Sequence, residues 1–293
     1  MIKVALLGLG RTGAVVAAQL LNSPPFELVS VLAKPGSPRV GRPLSEFINT
    51  ESADARDITV VAATQLHQEI LAKKFKVAID FTAPEATLQN ARVLAEHGIH
   101  LVIGTTGFHN MQLYELKQLV HQHRIGLVYA PNISVGINLL LSVVKTIARL
   151  APQYDVEITE TCHREKQDAP SGTALKIASE LNSVLGVKKR GERASGQCGR
   201  KGKELRQPGE IGIHSLRAGG NIGVHQVLFA GESEEIEITH RSYSRVTYAE
   251  GALKAAAFIN NLKGFYHMED VLLNERMERD LRVAANRLFL KFN

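Results

Sequence analysis

Met1-Ile2-Lys3-Val4-Ala5-Leu6-Leu7-Gly8-Leu9-Gly10-Arg11-Thr12-Gly13-Ala14-Val15-Val16 opens the chain with an apolar run, three spaced glycines and an Ala/Val-rich segment. The apolar run predicts a strand over Val4–Leu7, and the segment after the glycines predicts a helix over Gly13–Leu21. A Gly-x-Gly-x-x-Gly turn between a strand and a helix allows a tight bend. It also lets a pyrophosphate approach the helix N-terminus, where backbone N–H groups and the helix dipole favour anions. Gly8, Leu9, Gly10, Arg11, Thr12 and Gly13 are therefore candidate cofactor-binding residues, with Arg11 a further phosphate contact. A packing turn without a ligand is the bland alternative.

Working outward, strand and helix alternate through the first third. Strands are expected at Glu27–Leu32, Val77–Phe81, His100–Ile103 and Gly126–Tyr129, and helices at Glu85–Glu96 and Met111–His123. Nearly continuous apolar strands alternating with helices imply a parallel sheet covered on both faces. The grammar changes after Pro131. A long helix is read over Asn138–Ala151, a half-exposed strand over Asp155–Cys162 and a helix over Thr173–Leu185. Residues 186–210, rich in Gly, Lys and Arg, read as a long mobile loop. Strands at Ile211–Ala218, His225–Gly231 and Glu235–Ser242 follow in hairpin style, and a helix over 249–263 returns to the first domain. The class is α/β: a parallel-sheet nucleotide domain plus a mixed, mainly antiparallel α/β domain.

The 293 residues amount to about two domains, and 44% hydrophobic with 22% charged residues can bury a core. Disordered, collagenous and coiled-coil classes are excluded for the chain as a whole. No apolar run approaches the ~20 residues of a membrane span. The N-terminal run is too short for a signal peptide, so no membrane partner and a cytoplasmic location are expected. The two cysteines, Cys162 and Cys198, are too few for a disulfide framework and read as free thiols. A net charge of +6 with no Trp and 5% aromatics points to anionic small molecules rather than nucleic acid. No metal site is expected.

At the end of the second strand, where an acid commonly holds the ribose 2′-hydroxyl of NAD, the chain reads Leu32-Ala33-Lys34-Pro35-Gly36-Ser37-Pro38-Arg39. Lys34, Ser37 and Arg39 suit a 2′-phosphate, so NADPH is expected as the preferred cofactor, with NADH possible. The second cluster is Glu160-Thr161-Cys162-His163-Arg164-Glu165-Lys166-Gln167-Asp168-Ala169-Pro170-Ser171-Gly172-Thr173-Ala174. A strand ends there in a turn crowded with basic side chains, and a helix starts near Ser171-Gly172-Thr173. Cations beside a helix N-terminus make a carboxylate site.

These segments identify a resemblance. Together with Asp80-Phe81-Thr82-Ala83-Pro84, Gly104-Thr105-Thr106-Gly107-Phe108, Ala130-Pro131-Asn132-Ile133-Ser134-Val135-Gly136-Ile137-Asn138, Arg217-Ala218-Gly219 and Ser244-Arg245-Val246-Thr247-Tyr248-Ala249, they resemble the 4-hydroxy-tetrahydrodipicolinate (dihydrodipicolinate) reductase family of lysine/diaminopimelate biosynthesis, in order from residue 1 to about 273. The resemblance implies an oxidoreductase with a Rossmann-like nucleotide domain, 1–130 with 243–293, and a substrate-binding and tetramerisation domain, 131–242, in a homotetramer. It implies cofactor contacts at Gly8–Gly13, Ala33, Lys34, Gly104, Thr105, Thr106, Ala130, Pro131, Asn132 and Ile133. The nicotinamide would lie near Gly104–Thr106 and reduce a small cyclic, imine-type dicarboxylate. His163 matches the substrate-binding histidine, Lys166 the catalytic lysine, and Gly172 and Thr173 the carboxylate-binding backbone.

The chain departs from the family pattern in three places. Cys162 stands where the family has the histidine expected to donate a proton, so Lys166 and Cys162 are the candidate catalytic residues. With His163, Arg164 and Lys166 beside it, the Cys162 pKa is expected to fall, which would give a thiolate, the wrong form for an acid. Val224 stands where a glutamate is common, removing a carboxylate. Beyond about 273 the chain continues, with Met277, Leu281, Ala284 and Leu288 at helical spacing, which reads as an extra helix over 274–293. Three functions stay open: the family reductase, a paralogue acting on another cyclic imine, and a nucleotide-binding protein with little catalysis.

Overall fold

A computed structural model describes residues 1–186, 197–198, 202–203 and 205–274; the expected C-terminal helix and most of the 186–204 segment lie outside the described residues. The chain runs β1 (Ile2–Leu7), α1 (Arg11–Leu21), β2 (Phe26–Ala33), α2 (Asp54–Asp57), β3 (Val60–Ala62), α3 (Leu66–Lys73), β4 (Val77–Asp80), α4 (Pro84–Glu96), β5 (His100–Ile103), α5 (Asn110–His123) and β6 (Gly126–Tyr129). It continues through α6 (Val135–Leu150), β7 (Asp155–Cys162), α7 (Gly172–Leu185), β8 (Gln197–Cys198), β9 (Ile211–Arg217), β10 (Gly223–Ala230) and β11 (Glu235–Ser242), then α8 (Val246–Ile259) and β12 (Gly264–Tyr266). Two compact units result: Met1–Val135 with the described part of Val246–Asn293, and Gly136–Arg245. Among the described residues no helix is long and apolar enough to cross a membrane.

The first unit is a seven-stranded parallel sheet in the order β12-β6-β5-β4-β1-β2-β3. Strand alternation divides its core between the two faces. Val4 and Leu6 of β1 join Ala17 and Leu20 of α1 and Ala252, Ala255 and Ile259 of α8. Ala5 and Leu7 point the other way, to Ile70 of α3, Leu94 of α4 and Leu116 of α5. β1 lies between β2 and β4, so strand order reverses beside it, and the crevice at the carboxyl ends of the strands is where such sheets take ligands. The elements α2, β3, α3 and β12 have no counterpart among the expected ones; strands of three residues carry too little alternation to register in a sequence.

The second unit is a five-stranded mixed sheet in the order β11-β10-β7-β9-β8. The expected succession of hairpins needs correction: only β10 and β11 form one. β9 runs parallel to β7 on the side away from β10, pairing Cys162 with Arg217. The expected loop also contains β8, paired with β9. Its end is pinned by Arg206, which reaches the Glu157 carboxylate and the carbonyls of Val156 and Glu210. α6 and α7 cover one face of this sheet through Leu141, Val144, Ile177 and Leu181 against Ile158, Val227 and Phe229.

Candidate functional site

The first group of candidate residues lies in the first unit, on loops leaving the carboxyl ends of β1, β2, β4, β5 and β6. Gly8 has φ +95, and a Cβ there would stand 2.4 Å from the Phe81 carbonyl oxygen. A Cβ at Gly13 would stand 1.9 Å from the Gly8 carbonyl oxygen, so the turn closes only with glycine at both positions. Gly10 is the opposite case, since a Cβ there would meet nothing within 4 Å. Gly10 is also the N-cap of α1, and no side chain caps that helix. The donors of its first turn thus lack a side-chain acceptor beside an open glycine, and a pyrophosphate fits that need. Arg39 Nη1 donates to the Leu9 carbonyl at 2.6 Å, tying the loop after β2 to the tip of the turn. Arg11 and Lys34 are exposed.

The Gly104–Thr106 loop is organised from below by Asp80, which is 1% exposed. Its Oδ1 accepts from the Thr82 backbone and hydroxyl, from Thr87 Oγ1 and from Thr105 Oγ1, all within 2.7–3.0 Å. Asn90 Nδ2 donates to Oδ2 at 3.2 Å. Thr105 therefore turns its hydroxyl inward, and what it can present to a ligand is backbone. Phe81 lies so close beneath Gly104 that a Cβ there would come within 2.2 Å of the ring. After β6, Ala130 and Ile133 are buried, Pro131 is exposed and Asn132 is half-buried.

The second group lies in the second unit and is assembled by strand register. β7 buries alternate residues Val156, Ile158, Glu160 and Cys162 on the helix-covered face. β10 sets His225 opposite Glu160, and β11 sets His240 opposite His225. A carboxylate, a thiol and two imidazoles thus share one face. Glu160 is 0% exposed. Its carboxylate accepts from Arg217 Nη2 at 2.8 Å, the Ser171 backbone N–H at 3.2 Å and Cys162 Sγ at 3.2 Å. Ser171 caps α7 by accepting from Ala174 N–H at 3.2 Å, and its hydroxyl stands 3.3 Å from His225 Nε2. A Cβ at Gly172, in the first turn of α7, would meet nothing within 4 Å. The intervening turn carries Lys166, whose Nζ donates to Asp168 Oδ1 at 2.7 Å while its backbone N–H is held by the His163 carbonyl. The Nδ1 atoms of His163, His225 and His240 are buried without a hydrogen-bond partner.

One expectation changes here. The Cys162 pKa does not fall: burial, reinforced by its hydrogen bond to Glu160 and the negative charge there, pushes it up to about 11 against the weaker pull of Arg217 and Lys166. The basic neighbours in sequence are outweighed by an acid that strand alternation sets on the same face, so the thiol stays protonated. Val224, where the chain lacks the glutamate common in the family, alternates with His225 and belongs to the other face of the sheet, opposite Thr161 and Arg241.

Burial works against the Glu160 carboxyl, but bonds from Arg217, Cys162, Ser215 and Ser171 hold it below the usual carboxylate range. Burial pushes His225 down to about 4; Glu160 opposes the shift, while His240, Lys166 and Arg217 add to it. An unfolded histidine takes up its proton near pH 6.5. The depressed native value therefore contributes stability that is complete above that pH and drains away as pH falls toward 4. His225→Gln is expected to remove roughly 2–3 kcal/mol from the loss of stability between pH 7 and 4.5. Urea melts of both proteins across that range check it, and parallel slopes would mean that the folded imidazole is charged or solvated.

The structure thus keeps Gly8–Gly13, Lys34, Gly104–Thr106 and Ala130–Ile133 in one unit, and Cys162, His163, Lys166, Gly172 and Thr173 in the other. Sequence reasoning assigned no role to Glu160, Arg217, Asp80 or His225. The available signal for Glu160 was a charged residue on the apolar phase of the strand Val156-Glu157-Ile158-Thr159-Glu160, since a carboxylate is not buried without strong donors.

Two family models match the chain on either side of residue 135, the second running on through α8, which belongs to the first unit. Residues 2–133 match the family described as "Dihydrodipicolinate reductase, N-terminus", and residues 136–272 match "Dihydrodipicolinate reductase, C-terminus". The 4-hydroxy-tetrahydrodipicolinate reductase of Chromohalobacter salexigens is 41% identical over 280 residues, covering 93% of this chain and 98% of the relative. That of Rubrobacter xylanophilus is 42% identical, with coverage of 93% and 98%. The solved structure of dipicolinate-bound dihydrodipicolinate reductase from Paenisporosarcina sp. TG-14 superposes with a TM-score of 0.72 at 30% identity, covering 91% of this chain and 97% of that one. An amine dehydrogenase from Mycobacterium smegmatis, at 12% identity and a TM-score of 0.62, shares the fold alone. A glycine cradle on a parallel sheet, a basic turn before a capped helix, and matches that span both units agree on one assignment: the chain belongs to the dihydrodipicolinate reductase family.

Proposed function

We propose that the chain reduces 4-hydroxy-tetrahydrodipicolinate, a cyclic imine-type dicarboxylate, with a reduced nicotinamide dinucleotide. The observation that carries this reading is the turn from Cys162 to Thr173, where Lys166 and the capped N-terminus of α7 present a cation and backbone donors together. Two carboxylates need such groups, and a protein that only sensed nucleotide would not.

Gly8–Gly13 would hold the pyrophosphate, with Gly104–Thr106 and Ala130–Ile133 toward the nicotinamide. When bound, the reduced nicotinamide supplies the hydride. His163 and the backbone of Gly172 and Thr173 bind substrate carboxylate. Lys166 holds a proton at Nζ and gives it to the ring nitrogen as negative charge develops there. NADPH is the preferred cofactor because Lys34 and Arg39 put positive charge at the end of β2, where no acid stands. Assembly is a homotetramer through the sheet of the second unit, whose face opposite α6 and α7 leaves Leu216 50% exposed.

The deciding experiment follows NADPH and NADH oxidation with substrate made in situ from pyruvate and aspartate semialdehyde by a coupled synthase. Turnover is expected, faster at low cofactor with NADPH. Lys34→Glu is expected to lower the NADPH/NADH ratio of kcat/KM by about 10- to 100-fold, because it takes one charge-assisted hydrogen bond from the 2′-phosphate and sets a negative charge against it. Tight NADPH binding without turnover would favour another cyclic imine as substrate, and an unchanged ratio would remove Lys34 from cofactor selection.

A further inference from the structure

The turn bearing Lys166 is suspended from a single buried group. Glu160 sits at its entry on β7 and accepts from the Ser171 N–H at its exit, the residue that caps α7. Arg217, paired with Cys162 across the β7–β9 ladder, donates through Nη2 both to Glu160 and, at 2.5 Å, to the Asp168 carbonyl. Asp168 in turn holds Lys166 Nζ. A chain of bonds therefore runs from Glu160 through Arg217 and Asp168 to Lys166, and a second runs from Glu160 to the first turn of α7. Cys162 supplies its S–H to the same carboxylate. That proton is committed to Glu160, and the thiol is 4% exposed.

We propose that Glu160 is the positioning residue of the substrate site, fixing Lys166 and the α7 N-terminus through Arg217 and Ser171, and that Cys162 serves as one of its donors rather than as the acid of the reaction. This rests on reading the chain as a reductase of a cyclic dicarboxylate. The chemistry balances without the thiol: the 4-hydroxyl leaves with an adjacent ring hydrogen as water, and one hydride and the Lys166 proton then complete the two-electron reduction of the conjugated imine. The departure of Cys162 from the family pattern then removes no required proton.

Glu160→Gln keeps the shape and one oxygen for Arg217 and Ser171, but removes the charge that holds the Arg217 guanidinium and turns its NH2 toward Cys162 Sγ, where the thiol loses its acceptor. It is expected to lower kcat about 10²-fold, the scale of a misplacement near 1 Å, and to weaken binding of pyridine-2,6-dicarboxylate to the NADPH-loaded protein, while NADPH affinity holds. A merely structural role would lower the melting temperature without moving kcat or dicarboxylate binding in the folded fraction. Cys162→Ser, which keeps a donor, is expected to cost less than about tenfold in kcat, below the range of a lost general acid. A second arm needs no substrate: peptide-resolved iodoacetamide labelling at pH 8 is expected to modify Cys162 about fivefold faster in Glu160→Gln, because the opposing carboxylate is gone. If Glu160→Gln does not fold, Glu160→Asp, which draws the carboxylate back from Arg217, Ser171 and Cys162 Sγ alike, takes its place in both arms. Unchanged labelling, a Glu160 variant with near-normal kcat, or a Cys162→Ser variant 10²-fold slower overturns the proposal. A wild-type protein without turnover overturns the reductase reading instead, and the labelling arm still judges the network.

Discussion

Lys166→Met is expected to lower kcat by about 10²- to 10⁴-fold, the span that a positioned general acid contributes. The ammonium is held at 2.7 Å by Asp168 with its side chain 26% exposed, so it is oriented yet still reachable. The fold loses little with it, since a half-exposed pair of this kind contributes about 0–1 kcal/mol. NADPH affinity should hold, because the glycine cradle belongs to the other unit. Lys166→Arg separates charge from proton supply: guanidinium can pair with a carboxylate but does not give up a proton near neutral pH. It is therefore expected to retain substrate affinity better than Lys166→Met while recovering little kcat. Steady-state kinetics with single-turnover controls measure both, and a loss below tenfold for either variant would move the proton to another group.

Gly13→Ala is expected to weaken NADPH binding by at least about 10²-fold and to lower stability by about 1–3 kcal/mol, the range for a forced overpacking. The new methyl would sit 1.9 Å from the Gly8 carbonyl oxygen and 3.0 Å from its carbon. Both are backbone atoms, and Gly8 itself is held at φ +95 with its N–H on the Leu32 carbonyl, so no side chain can swing aside. Relief requires opening the turn, which moves the first-turn donors of α1. Gly10→Ala is the companion test, since its methyl meets open space and should leave the melting temperature in place. Any affinity it loses reports ligand approach rather than strain. Fluorescence titration with NADPH and thermal melts read the two effects separately. Full affinity in Gly13→Ala would show that the turn tolerates opening and that the glycines are there for packing alone.

The strand-turn-helix at the N-terminus was legible because everything that specifies it lies within about a dozen residues: apolar alternation, glycine conformational freedom and the absence of a cap. The same holds for Asp155–Cys162 as a half-buried strand and for Ser171 as the start of α7, where alternation and capping are local. The paths of β9 and β8 were not legible, because β9 pairs parallel with β7 across about fifty positions and the two-residue β8 pairs parallel with β9, and neither pairing leaves a mark on the strands themselves.

The site divides along the same line. From the sequence alone came the fold class, the glycine cradle, the basic turn and the resemblance that named their chemistry, since each depends on residue type at short spacing. Only the tertiary structure set Glu160 against Arg217, 57 residues away, and Ser171 against His225, 54 residues away. Burial beside the Glu160 carboxylate, against the pull of Arg217 and Lys166, reversed the expected state of Cys162, which its basic neighbours in sequence had suggested would be a thiolate. A pKa is set by burial and by whichever charges packing brings within a few ångströms. At Cys162 burial and the Glu160 carboxylate on the same strand outweigh the Arg217 that β9 brings up, so the state of the thiol became readable only once the packing of the sheet was known.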